Sequence, residues 1–538
     1  MAGEMDARPG SAWSPLEHRM FRALWIASLV SNVGTWMQNV GGVWLMSSLS
    51  PSPFLVALMQ TATSLPVFLV GLPAGALADI VDRRRLLLFT QGLMLAAAGL
   101  LSAATIAGVI DAKGLLASTF VLGLGSALNS PTWQAAVPDL VPRRDLPAAV
   151  ALNGVTVNVG RALGPALGGA IVAAWGPGAV FLLNALSFIG VLVVVYRWRP
   201  RTVESILPAE RLVGATRAGV RYARYAPELQ AVLIRAGVFI GAGSALWALL
   251  PIVVRHELGL GAAGFGLLLG CIGFGAIAGA TLLPRLRVKY SLDHALIGAT
   301  AVFAVVTAAL AWLTSLVALA ILMVAGGIAW TTLMASFNTA AQNSAPAWVR
   351  ARALGFYLFV FQGGLALGSV LWGALATRAG TRVALTVAAA ALVGGLAATR
   401  RWPMPLGDGL DLRSSLHWPE PRIEIEPRAD EGPVLVTIQY SVDPEKRNDF
   451  IAALHALGRL RRRDGAIQWG VFHDAADAAL YVESFLVESW VEHLRQHERG
   501  TDADRGIEEA ARAFHVGAAP PQVSHLIYAR PQIDYRRH

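Results

Sequence analysis

Gly75-Ala-Leu-Ala-Asp79-Ile-Val-Asp82-Arg83-Arg84-Arg85 interrupts two long apolar runs, 54–78 before it and 86–110 after it. A hydrocarbon layer about 30 Å thick needs roughly 20 apolar residues to cross it as a helix. Each flanking run meets that length, and three adjacent arginines between them mark a loop at the headgroup level. Two spans joined by a short basic loop are the unit from which the rest of the chain is read.

Repeating the unit outward gives about twelve runs. The first half holds 20–47, 54–78, 86–110, 115–137, 148–174 and 179–196, and the second holds 229–254, 262–283, 294–313, 316–338, 349–376 and 382–399. Basic residues sit in the even-numbered connections: Arg83 to Arg85, Arg143 with Arg144, the arginines of 197–224, Arg285 with Arg287 and Lys289, and Arg350 with Arg352. Because positive side chains stay on the cytoplasmic side, both termini are expected there. The first run continues into a second without a cleavage signal, so it is expected to be a retained helix.

The expected architecture is an all-α membrane protein of two six-helix bundles, 20–197 and 229–400, with the substrate path between them. Residues 1–19 form a cytoplasmic start, 198–228 a central cytoplasmic loop, and 401–432 a linker to a soluble domain at 433–538. Composition agrees, since 55% of the 538 residues are hydrophobic and only 15% charged. The basic side chains lie between apolar runs rather than on one wet face, which argues against nucleic-acid binding. The lone cysteine, Cys271, offers no disulfide or thiolate metal site, and no cofactor is expected. The absence of a Gly-x-x-x-x-Gly-Lys-(Ser/Thr) loop argues against an ATP-driven pump.

Polar side chains facing the path are the candidate substrate contacts: Asn32, Trp36 and Asn39 on the first helix, Gln60 on the second, Asn129, Trp133 and Gln134 on the fourth, Asn338 and Gln342 on the tenth. A buried amide satisfied by a neighbouring helix is an equally good reading of each. Arg161 differs because it alone places a charge near the middle of an apolar run, where isolation is costly. Contact with an anionic substrate or a gating carboxylate is preferred over pairing with a helix-end carbonyl. Arg235 is expected to snorkel to the interface. No Asp or Glu lies mid-helix, so the residues give proton coupling little to work with.

The 75–85 segment resembles the loop motif of the major facilitator superfamily, Gly-x-Leu-Ala-Asp-x-x-x-Arg-(Arg/Lys). The resemblance implies that Gly75, Asp79, Asp82, Arg83, Arg84 and Arg85 latch the two bundles during alternating access. Arg161-Ala-Leu-Gly164-Pro165-Ala-Leu-Gly168-Gly169 resembles the Gly-Pro-x-x-Gly-Gly motif of that superfamily's exporters, although a structural helix crossing needs the same glycines. Phe21-Arg-Ala-Leu-Trp25, Gly34-Thr-Trp36-Met-Gln38, Leu65-Pro66, Leu140-Val-Pro-Arg143, Asn338-Thr-Ala-Ala-Gln342 and Pro346-Ala-Trp348-Val-Arg350-Ala-Arg352 narrow the likeness to the enterobactin-exporter-like, transmembrane secretion effector branch. This implies outward, proton-coupled transport of a siderophore, drug or secondary metabolite across the cell membrane. Uptake, lipid flipping, or export coupled to an enzyme domain that modifies the substrate remain alternatives.

The soluble end reads as βαββαβ: strands at 434–440, 466–473, 480–486 and 523–529, with helical segments at 444–463 and 488–514, the latter broken near Gly500. This is a ferredoxin-like order. Trp469-Gly470, Glu488-Ser-Trp490, His493 and His497 resemble an antibiotic-biosynthesis monooxygenase type of domain. A regulatory or dimerising role is favoured over ligand sensing, and ligand sensing over catalysis, with Trp469 and Trp490 as core residues.

Overall fold

The computed structural model describes residues 11–198, 212–404 and 427–529, together with 411–413, 415, 418 and 423. Of the residues singled out from sequence, Gly75, Asp79, Arg143 and Arg287 have side-chain positions outside the described set, as does most of the linker.

Helices occupy all twelve predicted places. The first bundle comprises α1 (Arg19–Leu49), α2 (Pro53–Ile80), α3 (Arg83–Ile106), α4 (Ala112–Ala136), α5 (Leu146–Trp175) and α6 (Pro177–Arg197). The stretch read as a central loop contains a further helix, α7 (Leu212–Tyr225), whose sequence is strongly amphipathic. The second bundle comprises α8 (Pro227–Ile252), α9 (Ala262–Lys289), α10 (Leu292–Trp312), α11 (Leu316–Asn343), α12 (Arg350–Ala379) and α13 (Thr381–Ala398). Among the described residues, ten of these helices are long and apolar enough to cross a membrane by length and composition. The two that fall short are α1 and α4, which carry Ser28, Ser31, Asn32, Gln38 and Asn39, and Ser126, Asn129 and Gln134. Their polar content is what lowers their hydropathy.

Helix ends are set locally. Asp82 caps α3 by accepting from the Arg85 amide at 2.8 Å, and Asp111 caps α4 by accepting from the Gly114 amide at the same distance. Gly176 between α5 and α6 has φ 78°, and Gly380 between α12 and α13 has φ 90°. A left-handed glycine thus makes the same one-residue turn at corresponding places of both bundles.

Residues 1–207, 233–338 and 357–403 form one compact unit, which holds most of both helical bundles; residues 208–232, 339–356 and 404–538 form a second. In the second unit β1 (Val434–Ser441), β2 (Gln468–His473), β3 (Leu480–Val487) and β4 (Gln522–Ile527) make an antiparallel sheet in the order β2-β3-β1-β4. Strand β1 alternates buried and half-buried residues, so Val434, Val436, Ile438 and Tyr440 face α14 (Arg447–Asp464) and join Phe450, Leu454, Leu457, Phe485 and Trp490 in one core. The broken helical stretch resolves into α15 (Trp490–Arg499) and α16 (Asp502–Arg512), the second opened by a Thr501–Asp504 capping box. A buried polar cluster sits inside this core: Glu483 accepts from Arg461 at 3.2 Å, from Trp469 Nε1 at 2.9 Å and from the Tyr440 hydroxyl at 3.3 Å.

Candidate substrate site and the seams around it

Helix α5 packs on α1 on one side and α9 on the other, and its glycines explain both contacts. A Cβ at Gly160 would lie 3.0 Å from the Asn32 backbone, one at Gly164 would collide with Trp36, and one at Gly168 would lie 2.8 Å from Met37 Cα. These three face α1. A Cβ at Gly169 would lie 2.7 Å from the Ala262 carbonyl and 2.8 Å from Gly266 Cα, and one at Gly266 would lie 2.6 Å from the Pro165 carbonyl. Gly273 closes on Arg161 and Ala162 in the same way, at 2.8 Å. The Gly164-Pro165-x-x-Gly168-Gly169 stretch therefore joins α5 to its own bundle and to the other one.

Other contacts between the bundles cluster at the end opposite the arginine-rich loops. Trp44 stacks with Phe265 at 6.2 Å while Arg255 lies 5.2 Å over the Trp44 ring and donates to Ser48 at 2.5 Å. The Phe54 amide donates to Thr377 Oγ1 at 3.1 Å, and Ala57 packs where a Cβ on Gly373 would lie 2.6 Å away. Deeper along the same helices, Thr61 donates to the Ala366 carbonyl at 2.9 Å and Phe68 stacks on Phe359 at 4.2 Å.

Arg161 projects from α5 toward α1, its guanidinium 5.8 Å from the centre of the Trp36 ring. Its Nε is buried without a hydrogen-bond acceptor, and no carboxylate or carbonyl pairs with the guanidinium among the described residues. A cation held on an aromatic face with its donors unspent can accept an anion at modest desolvation cost.

The remaining candidates divide. Asn32 donates to the Ser28 carbonyl in its own helix at 2.9 Å, and Gln60 donates to Ser64 at 3.0 Å. Asn129 accepts from Thr90 at 3.1 Å and Gln91 at 3.2 Å, tying α4 to α3. Trp133 packs among Leu24, Ala136 and Val137, and Gln134 is exposed. Asn39 is half-buried on α1, as are Asn338 and Gln342 on α11. Among the described residues, Trp36 is the candidate that the fold brings to Arg161.

The basic loop also finds its partners inside the first bundle. Arg83 pairs with Asp139 at 2.9 Å, and Arg84 donates to the Val195 and Tyr196 carbonyls at the end of α6, at 3.3 and 2.5 Å. Arg85 is exposed. Arg235 does not snorkel: it is 9% exposed and paired with Asp293 at the start of α10, where the carboxylate compensates its charge without recourse to the headgroups. An aromatic group in the second bundle, with Trp247 and Trp330 centred 5.2 Å apart and Phe303 5.6 Å from Trp330, escapes a reading of the sequence, since each ring looks like ordinary apolar filling.

The sequence profile described as transmembrane secretion effector, within the major facilitator transporters, matches residues 10–532. The chain belongs to that family. This membrane transporter is 23% identical over 278 residues to a staphyloferrin A transporter of Staphylococcus aureus, an alignment covering 50% of this chain and 68% of the relative. It is 27% identical over 277 residues to the enterobactin exporter EntS of Shigella boydii, covering 50% of this chain and 64% of the exporter's length. The transporter also superposes on a bacterial homolog of the human lysosomal transporter Spinster, in an inward-facing and unoccupied conformation, with TM-score 0.58, 15% identity and coverage of 73% and 98% of the two chains. That likeness concerns the helical fold alone. The matched profile runs through the C-terminal βαββαβ domain, and the relatives are transporters rather than enzymes.

Proposed function

We propose that this chain exports a small anionic molecule across the cell membrane by alternating access of its two bundles, with Arg161 over Trp36 as the anion contact. The observation that carries the reading is the guanidinium of Arg161, held on an aromatic face inside a membrane helix with its buried Nε lacking an acceptor among the described residues. A charge left unpaired in that setting makes sense when a mobile partner completes it. The relatives' names, a staphyloferrin A transporter and an enterobactin exporter, favour siderophores among the anionic candidates.

With the arginine-rich loops in the cytoplasm, as the distribution of basic residues favours, the apposed end would be the outer one and the arrangement inward-facing. Both termini and the βαββαβ domain then lie in the cytoplasm. Arg83 and Arg84, engaged within the first bundle, would be the latch in its released state; Asp79 and Gly75 are proposed as its other members. The α5 glycines are the pivot, because they permit backbone contact with α9 on one side and α1 on the other.

The test is the excreted metabolite profile of a strain lacking this chain, grown under iron limitation. The expected result is retention of one or more anionic metabolites inside the cells, reversed by the wild-type chain and not by Arg161→Ala. An unchanged profile would remove the export reading.

A further inference from the structure

The second compact unit contains more than the βαββαβ domain. It includes α7 and the connection between α11 and α12, residues 339–356. These are parts of the membrane region's chain: α7 is followed after Ala226 by α8, and 344–349 is the elbow joining α11 to α12.

Aromatic and charged contacts hold these pieces to each other and to the domain. The Tyr222 hydroxyl of α7 donates to the Ser344 carbonyl of the elbow at 2.7 Å, and its ring meets Trp348 edge-on at 5.9 Å. Arg499, at the end of α15, lies 4.7 Å over the Trp348 ring and donates to Glu492 at 2.6 Å and to the Asp464 carbonyl at 2.5 Å. Arg463 lies 5.7 Å over the Tyr222 ring while its guanidinium is engaged by Asp464 and Asp504 at 2.8 and 2.6 Å. Arg221 completes the arrangement by donating to Glu492 at 2.9 Å. Helix α7 also lies close to α12, where a Cβ on Gly219 would come within 3.1 Å of Arg352 Cβ.

This is a built interface rather than an accidental touch. Tyr222, Arg463 and Arg499 are 2, 7 and 5% exposed. Each buried guanidinium has both a carboxylate and an aromatic face, the combination that offsets the desolvation of a charge. Arg217 with Glu488, 3.7 Å apart and exposed, extends it at the rim.

We infer that the C-terminal domain is a brake on the transport cycle, exerted by docking its α14–α15 face on α7 and on the α11–α12 elbow. Such a brake rests on the alternating-access reading proposed for this chain. Helix α7 belongs to the one covalent connection between the two bundles, and the elbow joins two helices of the second bundle at the arginine-rich end. A domain held on both pieces resists any movement that separates α7 from the elbow, and that movement is the step on which the brake acts.

The test uses the full chain in lipid nanodiscs, with Cys271→Ser and Ala57→Cys introduced. Ala57 is fully buried against Gly373 at the apposed end, so its thiol reacts with a water-soluble maleimide only when that end opens. Arg221→Ala and Trp348→Ala are compared with the unmodified dock, and amide exchange is followed in 344–352 and in β1. Undocking is expected to speed exchange at 344–352, leave β1 protected, and raise the labelling rate at least threefold. Faster exchange at 344–352 with an unchanged labelling rate would overturn the brake, and so would unchanged exchange in both variants. No substrate enters this assay, so failure to find an exported compound leaves it intact. A thiol at position 57 that never reacts in any variant would count against alternating access itself.

Discussion

An ionised side chain inside a membrane helix has to be compensated, and Arg161 is compensated only in part. Trp36 supplies a quadrupole and not an acceptor, so in the proposed cycle the guanidinium's donors are the ones the exported anion takes up. Arg161→Ala should therefore cut transport by about ten- to a hundredfold, the value of one or two charge-assisted hydrogen bonds, with membrane insertion unchanged on a fluorescence size-exclusion profile. Arg161→Lys keeps the charge and loses the fork, and an intermediate rate is expected. Arg161 is legible in the sequence because a single charge stands out against an apolar run. For Asn129 the sequence leaves the substrate and structural readings level, since its partners Thr90 and Gln91 lie on another helix and only packing brings them together. A second residue-scale consequence concerns His493 in the C-terminal domain. Burial, with His497 and His525 alongside, depresses its pKa to about 3, so the folded domain holds it neutral while the unfolded chain protonates it near its usual value. The native state then binds fewer protons below that usual value, and stability falls as pH drops. Roughly 2 kcal/mol should be lost between about pH 6.5 and 5, read from the exchange of β1 amides in the full chain. His493→Gln should flatten that slope.

At the scale of elements, the seam between α5 and α9 is the most demanding contact, because backbone meets backbone. Gly169→Val puts methyl groups where the Ala262 carbonyl and Gly266 Cα already sit. Overpacking of this kind costs on the order of 1–3 kcal/mol. The variant should melt earlier in detergent and lose transport in proportion to the seam's displacement. The glycines stand out in the sequence as a motif, but which of Gly168 and Gly169 faces which partner depends on the rotation of α5 in the bundle. In the C-terminal domain the corresponding element is the Arg461–Glu483 pair between α14 and β3. Glu483→Ala removes the nearer of two carboxylates from a buried guanidinium and should cost about 3–5 kcal/mol. A loss below about 1 kcal/mol, measured as the change in β1 exchange protection, would mean that Glu508 and the aromatic rings suffice for Arg461.

The molecule as a whole divides into parts that hydropathy reveals and parts that it does not. Twelve helices, the basic loops and the βαββαβ order follow from local periodicity, which a single sequence displays directly. Helix α7 reads as a loop in the sequence because its strong amphipathicity is that of a helix lying on another surface, and the surface is not visible in one dimension. The Arg221–Glu492 contact spans 271 positions, and no local pattern announces it. The partners of Arg83 and Arg84 within the first bundle are hidden for the same reason. These features belong together in one proposed cycle, with the α5–α9 seam as its pivot, the docked domain as its brake and Arg161 as its anion contact. The most direct test is accumulation of a radiolabelled siderophore in inside-out membrane vesicles containing the purified full chain, with Arg161→Ala alongside. Uptake against a gradient by the wild-type chain and its loss in Arg161→Ala are predicted. Equal accumulation by both proteins, or by vesicles lacking the chain, would contradict the claim that this transporter exports an anion through Arg161.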